Sequence, residues 1–161
     1  MLIGKGALAM ADKQAAQPAG GGLPRGMSLV VTGIHKTLYR LTGGRVGARM
    51  GAMDILVLTT TGRKSGEPRS TPLAYFRDGA NLVVVASAGG ADAAPAWYLN
   101  LQSKPEVTVL IRKRQQRMRA GTATPADRAR LWAIIIRQAP NFAGYEKKTR
   151  REIPVVILQR A

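Results

Sequence analysis

The residues best equipped for chemistry are crowded into one stretch, Thr59-Thr60-Thr61-Gly62-Arg63-Lys64-Ser65-Gly66-Glu67-Pro68-Arg69. Gly62 and Gly66 let the backbone turn tightly and come close to a ligand, and Thr60, Thr61 and Ser65 supply hydroxyls. Arg63, Lys64 and Arg69 supply positive charge, arginine in a planar fork that grips an oxyanion through two N–H groups. Cations crowded on one turn repel one another unless an anion or solvent relieves them. The stretch therefore has the make-up of a phosphate cradle. It is not a nucleotide P-loop, because its spacing departs from G-x-x-x-x-G-K-[ST] and the next segment reads as a strand, leaving no helix N-terminus to cap a phosphate. Gly, Ser and Lys are also ordinary turn residues, so a solvated hairpin turn is the competing reading.

The elements that must position this stretch are short and strand-rich. An apolar run from Ile55 leads into it, and strands are expected over 55–60, 70–77 and 81–87, with Asp78-Gly79 as the turn between the last two. Leu82-Val83-Val84-Val85 is continuous rather than alternating, which predicts a strand buried on both faces, as in the wall of a closed or nearly closed sheet. Pro95 opens a short helix bearing Trp97, Tyr98 and Leu101, and Pro105 stops it. Trp97 could wall a pocket beside the small residues Ala86 to Gly90, or fill the core. A fourth strand over 107–111 passes through the basic tip Arg112-Lys113-Arg114 into a fifth that carries Arg117 and Arg119, a charge run that reads as a solvated edge. Thr124 is placed as an N-cap with Pro125 in the first turn of a helix that buries Leu131, Trp132, Ile134, Ile135 and Ile136. Phe142 and Tyr145 stand three apart in the segment 140–148, and a strand over 154–158 closes the fold.

Upstream, residues 1–27 are rich in Gly, Pro, Ala and Gln and read as a disordered leader. From Ser28, apolar residues Val30, Ile34, Leu38 and Leu41 recur at helical spacing, predicting an amphipathic helix that ends at Gly43-Gly44. It either docks on the core or dips into a membrane interface. No apolar run is long enough for a signal-peptide core or a span, so a cytoplasmic protein is expected, with peripheral contact at the inner membrane face as the variant. The remaining residues, 28–161, form one domain with that helix at its start.

Charge narrows the partners. The chain has 161 residues with Lys plus Arg 25 against Asp plus Glu 9, a formal net charge of +16, and so attracts polyanions. Aromatic residues make up only 5%, too few to stack bases between the cations, and no nucleic-acid partner is expected. There is no cysteine and one histidine, His35, which excludes disulfides and thiolate nucleophiles and leaves no metal site expected; His35 reads as structural.

Taken together, Leu56 through Gly66, Arg69, Pro72-Leu73, Asp78-Gly79, Val83 through Ser87, Gly89-Gly90, Pro95 through Leu101, Pro105 and Ile153 through Val156 resemble the deazaflavin-dependent nitroreductase family of actinobacteria. The resemblance covers about the last two thirds of the chain in order, and as a set the motifs are specific. It implies an α+β fold, a split β-barrel of six to seven mostly antiparallel strands with flanking helices, and coenzyme F420, a deazaflavin with a phosphate and an oligoglutamate tail. By that parallel Thr61, Gly62, Arg63, Lys64, Ser65, Gly66 and Arg69 hold the phosphate and tail. Pro72, Leu73, Ala86, Ser87, Ala88 and Trp97 line the ring, with Asn100 nearby. Ser87 is then a donor near the ring or acceptor, and Tyr145 a substrate-side proton donor. The implied reaction passes a hydride from the reduced deazaflavin to an electron-poor small molecule such as a quinone, enone or nitroaromatic, with the protein orienting the pair. Family members that reduce nitroimidazoles carry tyrosines where Ala139 and Phe142 stand here, and often a lysine where Ala88 stands. Flavin mononucleotide on the same barrel is the alternative cofactor, a basic nucleic-acid or membrane-binding module the alternative function, and related barrels pair as homodimers.

Overall fold

A computed structural model describes residues 53–161; the expected leader and amphipathic helix lie outside the described residues. Six strands, β1 (Ile55–Thr61), β2 (Pro68–Asp78), β3 (Asn81–Val85), β4 (Glu106–Ile111), β5 (Arg114–Thr122) and β6 (Val155–Arg160), form a closed barrel in the order β1-β2-β3-β6-β5-β4. Every neighbouring pair is antiparallel, including the closing pair between β1 and β4. The expected six-to-seven-stranded barrel thus has six. Among the described residues three helices flank it: α1 (Ala96–Ser103), α2 (Pro125–Gln138) and α3 (Asn141–Lys148), with a single 3-10 turn at Ala88–Gly90.

The period of two along each strand divides the apolar residues between two cores. Leu56 and Leu58 of β1, Tyr75 of β2, Leu82 and Val84 of β3, Val107 and Val109 of β4, Met118 of β5 and Leu158 of β6 fill the interior together with Trp97, Tyr98 and Leu101 of α1. On the outside, Phe76, Val83, Val85 and Val155 meet Leu131, Trp132 and Ile135 of α2 and Phe142 of α3. The continuous run Leu82–Val85 is explained by this division: Leu82 and Val84 face the barrel interior, Val83 and Val85 face the helices. Ile134 and Ile136 of α2 are only half-buried, because that helix covers one side of the barrel and turns the other to solvent.

Local signals set the helix ends. The Thr124 hydroxyl accepts from the Asp127 amide at 3.2 Å with Pro125 in the first turn, as expected. Arg128 is stacked 4.9 Å from the Trp132 ring centroid, and its Nε donates to the Ile153 carbonyl at 3.0 Å, tying α2 to the approach to β6. No helix among the described residues is long and apolar enough to cross a membrane.

Leu158 is fully buried between β3 and β5, so Leu158→Ala is expected to cost about 2–5 kcal/mol in denaturant unfolding, the range for a leucine cavity in a packed core. At the β2–β3 turn, Arg130 grips Asp78 through Nη1 and Nη2 at 2.8 and 2.9 Å and holds its carboxyl below the ordinary range. A lowered native pKa gives stability that is present above the unfolded value and lost as pH falls through the native one. The melting-temperature gap between wild type and Asp78→Asn is therefore expected to shrink from about pH 5 to about pH 2, and a gap that does not change would contradict the ion pair.

Candidate functional site

The charged stretch is the loop of the β1–β2 hairpin. Its turn is closed by backbone bonds, Gly62 N–H to the Glu67 carbonyl at 2.8 Å and Gly66 N–H to the Gly62 carbonyl at 2.7 Å. A Cβ at Gly62 would fall 2.7 Å from Ser65 Oγ and 3.1 Å from the Glu67 carbonyl, and Gly66 sits at φ +71°, so both glycines are needed for this shape. Ser65 Oγ accepts from the Glu67 amide at 3.2 Å and from Arg69 Nη2 at 3.5 Å.

Beneath the loop lies Asn100 of α1, a polar side chain only 4% exposed. Its Oδ1 accepts from the Arg63 amide at 3.1 Å and from Arg63 Nη1 at 3.3 Å, while its Nδ2 donates to Thr60 Oγ1 at 3.1 Å. Thr60 Oγ1 in turn donates to the Arg69 carbonyl at 3.4 Å. One carboxamide therefore ties the end of β1, the turn and the start of β2 into a single shape. Arg63, Lys64 and Arg69 are left exposed on that shape, with no ion pair to any carboxylate among the described residues.

A second feature adjoins the loop. The β2–β3 ladder runs from Asp78↔Asn81 to Tyr75↔Val84 and stops, while β2 continues back to Pro68 along β1 alone. Continuing the register sets Leu73 opposite Ala86 and Pro72 opposite Ser87, beyond the last ladder pair of β2 and β3. Pro72 suits such a free edge because it has no N–H to donate. Leu73 packs on the interior cluster, to which Ala86 belongs.

The lip formed by Ala86 to Ala91 is held from behind by Arg151. Its Nη2 donates to the carbonyls of Ala86 and Ser87, each at 3.0 Å, and its Nε to the Ala91 carbonyl at 2.9 Å. Its Nη1 is buried without a partner. Ala88 takes φ +48°, which turns the chain sharply after Ser87. The Ser87 carbonyl is occupied, but its hydroxyl makes no hydrogen bond among the described residues.

The structure thus brings Thr61, Gly62, Arg63, Lys64, Ser65, Gly66 and Arg69 together in one loop, and sets Pro72 and Leu73 on the stretch of β2 that faces Ala86, Ser87 and Ala88 past the end of the β2–β3 ladder. Trp97 is 6% exposed within the interior cluster, edge-on to Tyr98 at 6.1 Å, and so serves packing. Asn100 lies under the loop as a clamp. Tyr145 stands on α3, where its hydroxyl receives a hydrogen bond from Asn141 Nδ2 at 3.3 Å and its ring meets Phe142 edge-on at 5.5 Å. Its backbone abuts the lip, since a Cβ at Gly90 would come within 2.9 Å of the Tyr145 carbonyl. Arg151 was missed by sequence reasoning: it stands in a basic run, 147–151, that looks merely solvated, and nothing local marks its carbonyl partners some sixty positions upstream.

Comparison with known proteins shows the family and the fold. The model of the F420H(2)-dependent quinone reductase family matches residues 31–160. An F420H(2)-dependent quinone reductase of Mycobacterium tuberculosis is 39% identical over 142 residues, covering 86% of this chain and 95% of its own. A solved F420-H2 dependent reductase superposes with a TM-score of 0.60 at 34% identity, over 65% of this chain and 93% of that one. A second solved structure, a domain-swapped dimer, gives 0.62 at 30% identity over 80% and 98%. The split-barrel architecture read from the sequence is thereby shown, and the chain belongs to the F420H(2)-dependent quinone reductase family.

Proposed function

We propose that this protein reduces a quinone with the hydride of reduced coenzyme F420, holding the coenzyme's acidic end in the Thr61–Arg69 loop and its ring along β2 at Pro72 and Leu73, where the ladder with β3 has ended. Family membership supports the reaction and the coenzyme. The observation that carries the placement is the preformed loop: cations without carboxylate partners among the described residues, on a backbone fixed from below, beside the stretch of β2 where its ladder with β3 has ended. A phosphate followed by glutamate carboxylates matches that charge, and each hydrogen bond from a cation to such an anion contributes about 1.5–3 kcal/mol.

The residues present fit the group. Arg63, Lys64 and Arg69 bind its anionic end, and the hydroxyl of Ser87, which makes no hydrogen bond among the described residues, is available to the ring or the acceptor. The buried Arg151 Nη1 leaves a donor unused behind the same lip. Pro72 and Leu73, both partly exposed, offer an apolar surface suited to a flat ring, with Ala86 buried across from them. When bound, the reduced deazaflavin supplies the hydride to the acceptor. Quinone reduction needs a proton as well, and Tyr145, held by Asn141 on the helix that abuts the lip, is the side chain assigned to deliver it.

Equilibrium titration with coenzyme F420 and, side by side, flavin mononucleotide tests the reading: the deazaflavin is expected to bind the more tightly, and preference for flavin mononucleotide would overturn it. Lys64→Ala with Arg69→Ala is expected to weaken coenzyme affinity about tenfold or more, since two charge-assisted contacts are lost. Tyr145→Phe is expected to lower turnover while leaving coenzyme affinity nearly intact; equal loss of both would remove Tyr145 from the proton-donor role.

A further inference from the structure

The end of the barrel remote from the loop is lined by cations rather than closed by apolar side chains. Alternation fixes which residues continue the interior face. Tyr75 packs inside, so Arg77 continues that face on β2; by the same count Arg114 continues the face of Met118 on β5, and Arg160 that of Leu158 on β6. With Arg112 at the β4–β5 tip these arginines surround a hollow of about 310 Å³ floored by Leu82, Ile111 and Met118.

No carboxylate lines the hollow, and none of the four guanidiniums forms an ion pair among the described residues. Among the described residues Arg77 meets the Tyr75 ring, its guanidinium carbon 5.7 Å from the centroid. Asp78, the neighbouring acid, is taken by Arg130. The tip itself is strained: Arg112 and Lys113 sit at φ +44° and +70°, where a tight hairpin turn ordinarily places Asn or Gly. Crowded like charges and a strained turn both oppose this arrangement, and a multiply charged anion seated among the arginines would offset them.

We propose that this hollow is a second anion site, which takes a small organic phosphate. Guanidinium forks grip the phosphate oxygens, and the apolar body rests on Leu82, Ile111 and Met118. The volume matches the lower end of small-molecule sites. The eleven residues of β2 separate this hollow from the β1–β2 loop by roughly 30 Å, so the two are distinct and can be filled together.

The test is calorimetric titration of 1-naphthyl phosphate into the Lys64→Ala/Arg69→Ala protein, in which the loop is disabled, and into the same protein carrying Arg112→Gln and Arg160→Gln as well. Saturable binding is expected in the first, about tenfold or more weaker in the second, with equal melting temperatures showing that both are folded. In the first protein, inorganic phosphate is expected to bind more weakly than the naphthyl ester, because it leaves the apolar floor uncovered. Absence of saturable binding there, equal affinity in both proteins, or inorganic phosphate binding as tightly as the ester would each overturn the proposal. So would arginine-dependent binding to phosphatidylglycerol vesicles without binding of the ester, which would make the rim a membrane surface.

Discussion

The candidate site depends on one buried carboxamide. Asn100 is withdrawn from water, and burying an amide is unfavourable unless its oxygen and nitrogen find partners. Here they find Thr60 and Arg63, which lie on the strand end and the turn that the site needs in fixed positions. The cradle is thus shaped before any ligand arrives, and its cations are presented on a backbone that need not reorganise. Preorganisation of this kind raises affinity by reducing what must be ordered on binding.

The barrel supplies the rest of the geometry through the period of two. Because β3 is covered on both faces, by the interior on one side and α2 and α3 on the other, it is short and almost wholly apolar. It ends at Val85 and leaves β2 without a β3 partner from Ala74 back, and Arg151 then fixes the released chain by donating to three carbonyls. The free stretch of β2 and the loop are therefore consequences of where two ladders stop, one at Tyr75↔Val84 and the other at Thr61↔Pro68.

Much of this was legible in the sequence, because it was written in local patterns. The Thr124 cap, the turn at Asp78-Gly79, the doubly buried run at Leu82 and the glycine-bounded basic loop each depend on neighbours within a few positions. What the sequence did not yield depends on distant pairing. Asn100 was read as standing near the ring, whereas its partners under the loop lie 37 and 40 positions away. Trp97 offered two readings, pocket wall or core, and only the closed barrel shows it within the interior. The basic run around Arg114 read as a solvated edge, and only its register with Met118 shows that it continues the interior face.

The account turns on whether the buried amide, and not the cations alone, makes the cradle. The most direct measurement is coenzyme F420 affinity of Asn100→Leu, read beside amide hydrogen exchange in the ligand-free protein. The prediction is faster exchange at Arg63 and Gly62, retained protection along β1 and β3, and affinity weakened about tenfold or more with every cation still in place. Coenzyme affinity equal to wild type in a variant whose loop amides exchange freely would contradict it.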